Sequence, residues 1–396
     1  MNPLVNCSRL LAGKITLREI REAEAASSPP GKRHLLRYAS PRAPIVVWNI
    51  TRECNLACRH CYLGAMARPA EDELSGEEAR AFMDDLGELG VPLLAFSGGE
   101  PLARPDVFEL ALYARSRGIP TLLSTNGTLI TPETARRIRE AGFSYVGISI
   151  DGTEETHDRF RGRKGAFREA VAGIRNLQAE GLPVGLRITV TQANIQDLEG
   201  VFELALREGV PRVTVFQLVY AGRGREIVDW DIEREERRRL ISWVLEKSLE
   251  LHREGREVEV VTADNYADGV YLYRYVRGTW PERAQEVGEL LRLQSGCRAG
   301  ERLLNVDFRG EVHPCPYWQS RSLGNVRERK LSDIWRDENS PFLQAMREKH
   351  RYLQGRCGRC AYRAICGGCR VRAEMAYGDP LAEDPACYLE EAEILD

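Results

Sequence analysis

The sequence predicts an α/β fold: six β/α units forming an open sheet or a barrel, followed by a small, cysteine-rich C-terminal domain. Three observations predict it. Six short β-rich runs alternate with amphipathic helical stretches between residues 45 and 219, the texture changes after Cys297 to short Gly-, Pro- and Cys-rich pieces, and the cysteines cluster at 54–61 and beyond 296. Strands and helices alternating at this spacing pair in parallel through crossover helices. Six units are too few for a closed eight-stranded barrel.

Residues 1–44 read as a helical preface ending in the turn SPRAP. The runs IVVWNI (45–50), PLLAFSG (92–98), TLLSTNG (121–127), YVGISIDG (145–152), VGLRITVT (184–191) and RVTVFQLV (212–219) supply the six strands. Between them, SGEEARAFMDDLGELG, PDVFELALYARSRG and TPETARRIREAG carry helical periodicity, the first opening on Ser75 and Glu78 in capping-box spacing. The β/α units therefore span 45–229. The charged, helix-periodic stretch 230–296, broken by TADNYADGVYLY, reads as a helical bridge, and 297–396 as a domain held by metal more than by core.

Composition narrows the function classes. A chain of 396 residues with 43% hydrophobic and 29% charged residues is a folded protein of two or three domains. Net charge is -3, from 56 basic and 59 acidic residues, so no sequence-wide basic field points to nucleic acid. No apolar run approaches the ~18 residues of a membrane span, and the start lacks a signal-peptide apolar region. A cytoplasmic protein without membrane partners is expected. Eleven cysteines in such a chain point to metal or catalysis, because reducing cytosol keeps thiols free. Cys7 stands alone and is assigned nothing.

Cys54, Cys58 and Cys61 lie in CNLACRHCY, directly after the first strand, where catalytic loops of α/β barrels gather. Three thiolates at this spacing can hold three irons of a cubane and leave the fourth open. The alternatives are a zinc site or buried free thiols; zinc wants four closed ligands, and this loop offers only His60 as a fourth. The second strand ends in Ser97-Gly98-Gly99-Glu100-Pro101, where two glycines let the backbone approach a ligand and a carboxylate can accept from an amine. Ser124, Asn126, Ser149, Asp151 and Arg187 sit at later strand ends, where a ribose or carboxylate would lie. Turn chemistry accounts for them equally well.

The three-cysteine loop together with Gly98 to Pro101 resembles the radical S-adenosylmethionine (radical SAM) superfamily, which implies that the six units form a partial (β/α)6 barrel. The resemblance implies a 4Fe-4S cluster on Cys54, Cys58 and Cys61 whose open iron is chelated by S-adenosylmethionine (SAM). It implies that the turn Gly98, Gly99, Glu100 contacts the SAM amino group, and that one electron cleaves SAM to methionine and a 5′-deoxyadenosyl radical. Tyr62 would then cover the adenine or serve as a core aromatic. An electron donor such as ferredoxin or flavodoxin and anaerobic chemistry are implied as well.

The tail, with Cys297, Cys315, Cys357, Cys360, Cys366, Cys369 and Cys387, resembles the SPASM extension that follows radical SAM barrels. By that resemblance Cys357, Cys360, Cys366 and Cys387 close one auxiliary 4Fe-4S cluster, while Cys297, Cys315 and Cys369 bind a second with three protein ligands. The two-residue gap before Cys369 departs from the usual three, and zinc also suits C-x-x-C pairs.

Longer stretches carry a closer resemblance: HLLRYASPRAPIVVWNITRECNLACRHCY, LVYAGRGRE, TADNYADGVYLY, LGNVRERKLSDIW, GRCGRCAYRAIC, RVRAEMAYGD and DPACYL. They are similar to the tetrapyrrole-modifying group that comprises didecarboxysiroheme deacetylase and NirJ. This implies removal of acetate or propionate side chains from a siroheme-derived iron tetrapyrrole in haem biosynthesis. The group's pattern has acidic or amide residues in place of Cys315 and Cys369, and a second auxiliary cluster is frequent in maturases of ribosomally made peptides or proteins, which are the alternative. A non-catalytic electron carrier is a third reading, against which the Gly-Gly-Glu turn speaks. A flat, carboxylate-fringed substrate needs aromatic walls and arginine forks. Arg223, Arg225, Tyr266, Tyr271, Tyr273 and His313 are candidates, each also readable as a core or surface residue.

Overall fold

The protein is described here from a computed structural model covering residues 4–18 and 43–396. Its strands in chain order are β1 (Leu4–Asn6), β2 (Ile45–Asn49), β3 (Leu94–Ser97), β4 (Thr121–Thr125), β5 (Val146–Ser149), β6 (Val184–Val190), β7 (Arg212–Gln217), β8 (Glu259–Ala263), β9 (Leu303–Val306), β10 (Glu311–His313) and β11 (Gly324–Asn325). Strands β2 to β7 are the six predicted runs. They lie side by side in sequence order and pair in parallel.

Side-chain alternation builds two cores. In β2 and β3, Val46, Trp48, Leu94 and Phe96 face the outer helices, while Ile45, Val47 and Ala95, with Leu93 just before β3, face inward. The crossover helices begin where their caps dictate. Ser75 and Glu78 exchange both capping-box bonds at the start of Gly76–Leu89, and Gly90 ends that helix in the left-handed conformation. Thr131 caps Pro132–Ala141 by accepting from the Thr134 N–H.

The structure departs from the expected elements in three places. Residues 4–6 form an edge strand antiparallel to β8, so the start of the helical preface is not helical, and residues 19–42 of it lie outside the described residues. The stretch expected to be a helical bridge contains β8, a seventh parallel strand alongside β7. Its β-branched run VEVV is short and set among charges, so helical periodicity on either side masks it. The tail also does not stand apart. Its β9 pairs in parallel with β2, and β1 and β10 cover the two ends of the eight parallel strands. The inner core consequently mixes barrel residues Ile45, Val47 and Leu122 with tail residues Cys297, Cys315, Trp318 and Cys369. Among the described residues no helix is long and apolar enough to cross a membrane.

Candidate active site

Inward-facing positions at the carboxyl ends of the parallel strands meet the three-cysteine loop. Ser97, Ser124, Ser149, Arg187, Thr189 and Phe216 line one cavity together with Cys54, Cys58 and Cys61. Burial pushes the Cys54 thiol up to about 12 and also raises Cys58, so thiolates persist here only beside positive charge. The chain supplies some of it. Arg161, itself buried, points Nη1 at the Cys58 Sγ from 3.4 Å, the Ala65 N–H lies 3.4 Å from the Cys61 Sγ, and Asn126 Nδ2 lies 3.9 Å from the Cys54 Sγ. Donors converging on three sulfurs are the surroundings that an anionic iron–sulfur cluster needs.

Behind Arg161 stands Asp151, fully buried, 2.5 Å from Nη2 and accepting from the Thr189 N–H at 3.0 Å. His60 Nε2 is 3.7 Å from the same carboxylate, but burial lowers its pKa to about 4, which leaves Arg161 as the cation. Asp151 therefore holds the arginine and does not line the cavity. Arg223 clamps the loop from the other side, donating through Nε to the Cys58 carbonyl at 2.8 Å and through Nη1 to the Ala65 carbonyl at 2.9 Å. Arg225 is exposed and lies outside the cavity lining.

The glycine turn is joined to the cysteine loop by backbone. The Gly99 N–H donates to the Thr51 carbonyl at 2.9 Å and the Glu100 N–H to the Glu53 carbonyl at 2.7 Å. Gly98 and Gly99 line the cavity; the Glu100 side chain does not. Its carboxylate is fully buried and accepts from Thr125 Oγ1 at 2.7 Å, from the Asn126 N–H at 2.8 Å and from the Leu102 N–H at 3.1 Å. The turn therefore presents backbone to the cavity, and Glu100 ties it to the end of β4. An amide at this position turns an NH2 group toward a donor, which costs about 1–3 kcal/mol when buried. Glu100→Gln is thus expected to lower the urea midpoint while SAM affinity and iron content stay close to wild type. Tenfold weaker SAM binding at unchanged stability would instead make the carboxylate a ligand.

Of the other expected contacts, Tyr62, Ser124, Asn126, Ser149 and Arg187 all line the cavity. Tyr62 donates to Asn49 Oδ1 at 2.9 Å and stacks edge-on against Tyr317 at 5.2 Å. Arg187 crosses Gly147, where a Cβ would meet the guanidinium at 2.2 Å, to reach Ser124. Its Nε and Nη2 are buried and find no hydrogen-bond partner among the described residues, so Arg187 brings an uncompensated positive charge to the cavity wall. Sequence reasoning missed Arg161, Thr189, Phe216 and Tyr317, which carry no local motif. The inward parity of Arg187 extends to Thr189 and was the available signal.

In the tail, Cys357, Cys360, Cys366 and Cys387 line one small cavity. The N–H groups of Asp384, Tyr362 and Gly368 point at the sulfurs of Cys357, Cys360 and Cys366 from 3.4, 3.4 and 3.3 Å. Cys297, Cys315 and Cys369 gather separately in the inner core. The buried pair Arg372–Asp384 connects the two sets: Asp384 Oδ2 accepts from the Cys369 N–H at 2.7 Å, and Arg372 reaches the Leu218 carbonyl at 3.1 Å. Pro316 and Tyr317, which follow Cys315, form part of the wall of the barrel cavity. Among the described residues no three thiols, imidazoles or carboxylates close on a single ion; cubane ligands bind different irons and need not. Tyr266 is buried in the inner core with Cys297, Cys315 and Cys369, whereas Tyr271 bonds Ser242 and Tyr273 packs on Tyr362. His313 sits on β10 with Nδ1 2.9 Å from the Arg321 carbonyl, away from the cavity.

An open parallel barrel with a three-thiol loop at its mouth and a cysteine-rich tail packed against it defines a radical SAM enzyme with a SPASM tail. Residues 48–205 match the radical SAM superfamily, and residues 297–361 match SPASM, an iron-sulfur cluster-binding domain. The chain is 44% identical to Fe-coproporphyrin III synthase of Methanosarcina barkeri, over 99% of each protein. It is 42% identical to pre-heme d1 synthase of Dinoroseobacter shibae, over 88% of this chain and 87% of that one. It belongs to the haem-biosynthesis family of radical SAM enzymes, which use SAM, a radical SAM 4Fe-4S cluster and auxiliary iron–sulfur clusters. Among solved structures, SuiB of Streptococcus suis bound to precursor peptide SuiA matches with a TM-score of 0.70 at 17% identity, covering 96% of this chain and 88% of that chain. At that identity the likeness concerns the fold alone.

Proposed function

We propose that this enzyme removes acetate side chains from a siroheme-derived iron tetrapyrrole in haem biosynthesis. The observation that carries the proposal is end-to-end similarity to an Fe-coproporphyrin III synthase, because iron coproporphyrin III differs from didecarboxysiroheme by the loss of acetate side chains. In this reading Cys54, Cys58 and Cys61 hold the radical SAM cluster, Cys357, Cys360, Cys366 and Cys387 a closed auxiliary cluster, and Cys297, Cys315 and Cys369 a second. When bound, cluster and SAM supply a 5′-deoxyadenosyl radical that abstracts hydrogen. The chain positions the reactants. Gly98 and Gly99 offer backbone to the methionyl amino group, Arg187 places a positive charge at the cavity wall, and Val47, Ala95, Leu122 and Phe216 supply apolar wall that keeps water from the radical.

Anaerobic incubation of the reconstituted enzyme with reductant, SAM and didecarboxysiroheme should yield iron coproporphyrin III by mass spectrometry. Recovery of unchanged pigment while SAM is cleaved would sink the substrate assignment. The peptide-maturase reading has one observation in its favour, the second set of thiols directly behind Pro316 and Tyr317 at the cavity wall. It predicts that a peptide, and no siroheme derivative, perturbs the spectrum of that cluster when Cys54, Cys58 and Cys61 are alanine.

A further inference from the structure

Between the two sets of tail thiols the surface is cut by a second cleft, whose lining includes Cys297 from one set and Cys366 from the other. Its charged walls are nearly all cationic. Arg292, Arg298, Arg347, Lys349 and Arg363 line it, with His350 beside them, and among the described residues one carboxylate, that of Glu301, faces them. That carboxylate is shared, accepting from Arg298 at Oε1 and from Lys349 at Oε2, each at 2.6 Å, so it offsets only part of the excess. Arg298 is only 8% exposed and donates its Nη groups to Glu301 and to the Arg292 carbonyl. Arg292, His350 and Arg363 reach solvent. Exposed guanidinium groups that the chain's own carboxylates do not balance attract carboxylates from outside the chain.

The position of the cleft decides what brings them. It shares no lining residue with the barrel cavity, so a molecule in it is out of reach of a hydrogen-abstracting radical. It does lie against a cysteine of each tail set, and the exchange available there is of electrons. A second basic cavity, lined by Arg9, Lys14, Arg212 and Arg256 at the amino ends of β5 to β8, has no cysteine in its lining.

We propose that the cleft between Cys297 and Cys366 docks a small acidic one-electron carrier protein, which seats surface carboxylates on Arg292 and Arg363. The step is a single electron: the carrier is oxidised, a tail cluster is reduced, and no bond forms or breaks. The proposal rests on the cluster assignment of the tail cysteines made above.

The test uses the reconstituted full-length enzyme mixed anaerobically with a reduced flavodoxin, following reduction of the tail clusters by stopped flow at several salt concentrations. Arg292→Glu with Arg363→Glu should slow the second-order rate about tenfold at low salt and flatten its salt dependence, since such fields raise encounter rates by 10–10³. Lys14→Glu with Arg256→Glu, at the other cavity, should stay within about twofold of wild type, and SAM cleavage driven by dithionite should be unchanged in both pairs. Equal slowing by the two pairs, an unchanged rate in the first, or a wild-type enzyme that flavodoxin does not reduce would overturn the proposal. If the first pair loses iron, Arg292→Gln with Arg363→Gln is measured instead: about threefold slowing supports docking and none refutes it. Because the measurement needs no substrate, a failed tetrapyrrole assay leaves it standing. Absence of tail clusters by iron analysis would instead remove the assignment on which it rests.

Discussion

Replacing Cys54, Cys58 and Cys61 together by alanine is expected to abolish SAM cleavage and to lower iron from about twelve to about eight per chain, one cubane's worth. The expectation follows from the separation of the thiol sets. Cys54, Cys58 and Cys61 line the barrel cavity, the other cysteines gather elsewhere, and Cys7 is buried in the outer core with its Sγ toward the Val5 carbonyl. No other thiol lines the barrel cavity to take their place. The tail clusters should remain, because their N–H donors and the Arg372–Asp384 pair do not depend on the loop. Iron analysis, electron paramagnetic resonance and chromatography of 5′-deoxyadenosine measure all three outcomes. Cleavage surviving in the triple variant would show that the radical cluster is held elsewhere.

The second large effect concerns Gly99, where a Cβ would stand 2.1 Å from the Glu53 carbonyl oxygen and 2.6 Å from its carbon. Both atoms are backbone, so no side-chain rotation relieves the overlap. The loop that would have to yield carries Cys54 one residue later, and the turn that would have to yield carries the backbone presented to SAM. A displacement of ~1 Å in a reacting geometry costs about 10²-fold in rate, and Gly99→Ala should lose about that much SAM cleavage with weakened SAM binding. Gly64→Ala provides the comparison. It places a side chain at positive φ, +65°, a strain absent at Gly99, but meets nothing within 4 Å, so it should cost stability without approaching that loss of rate. A Gly99→Ala enzyme that cleaves SAM as fast as wild type would show that the close approach of turn and loop has no part in the chemistry.

Much of the fold was legible because its signals are local. The six runs alternate with helices whose starts are written in Ser75, Glu78 and Thr131, and each became the expected strand or helix. Two of the strands that were missed, β8 and β9, draw their identity from neighbours: VEVV and LLNV are short segments among charges or cysteines, and they become strands by lying against β7 and β2. At the site, cysteine spacing and the glycine turn pointed to the cavity, whereas Glu100 and Asp151 have the residue type of ligands and the surroundings of struts. Type and strand position cannot tell these apart, because what separates them is which donors already occupy their oxygens.

By itself the sequence determined that three thiols share one loop and that a close-approach turn ends the next strand, since ligands a few residues apart are kept together by chain length alone. Only the tertiary structure decided what surrounds them. Arg161 reaches the Cys58 sulfur across 103 residues, Arg223 clasps the Cys58 carbonyl across 165, and Asn305 of the tail donates to the Val47 carbonyl of the barrel across 258. Such contacts obey no local spacing. A buried charge finds its partner only when the packing of the whole chain brings the two together and excludes water from both.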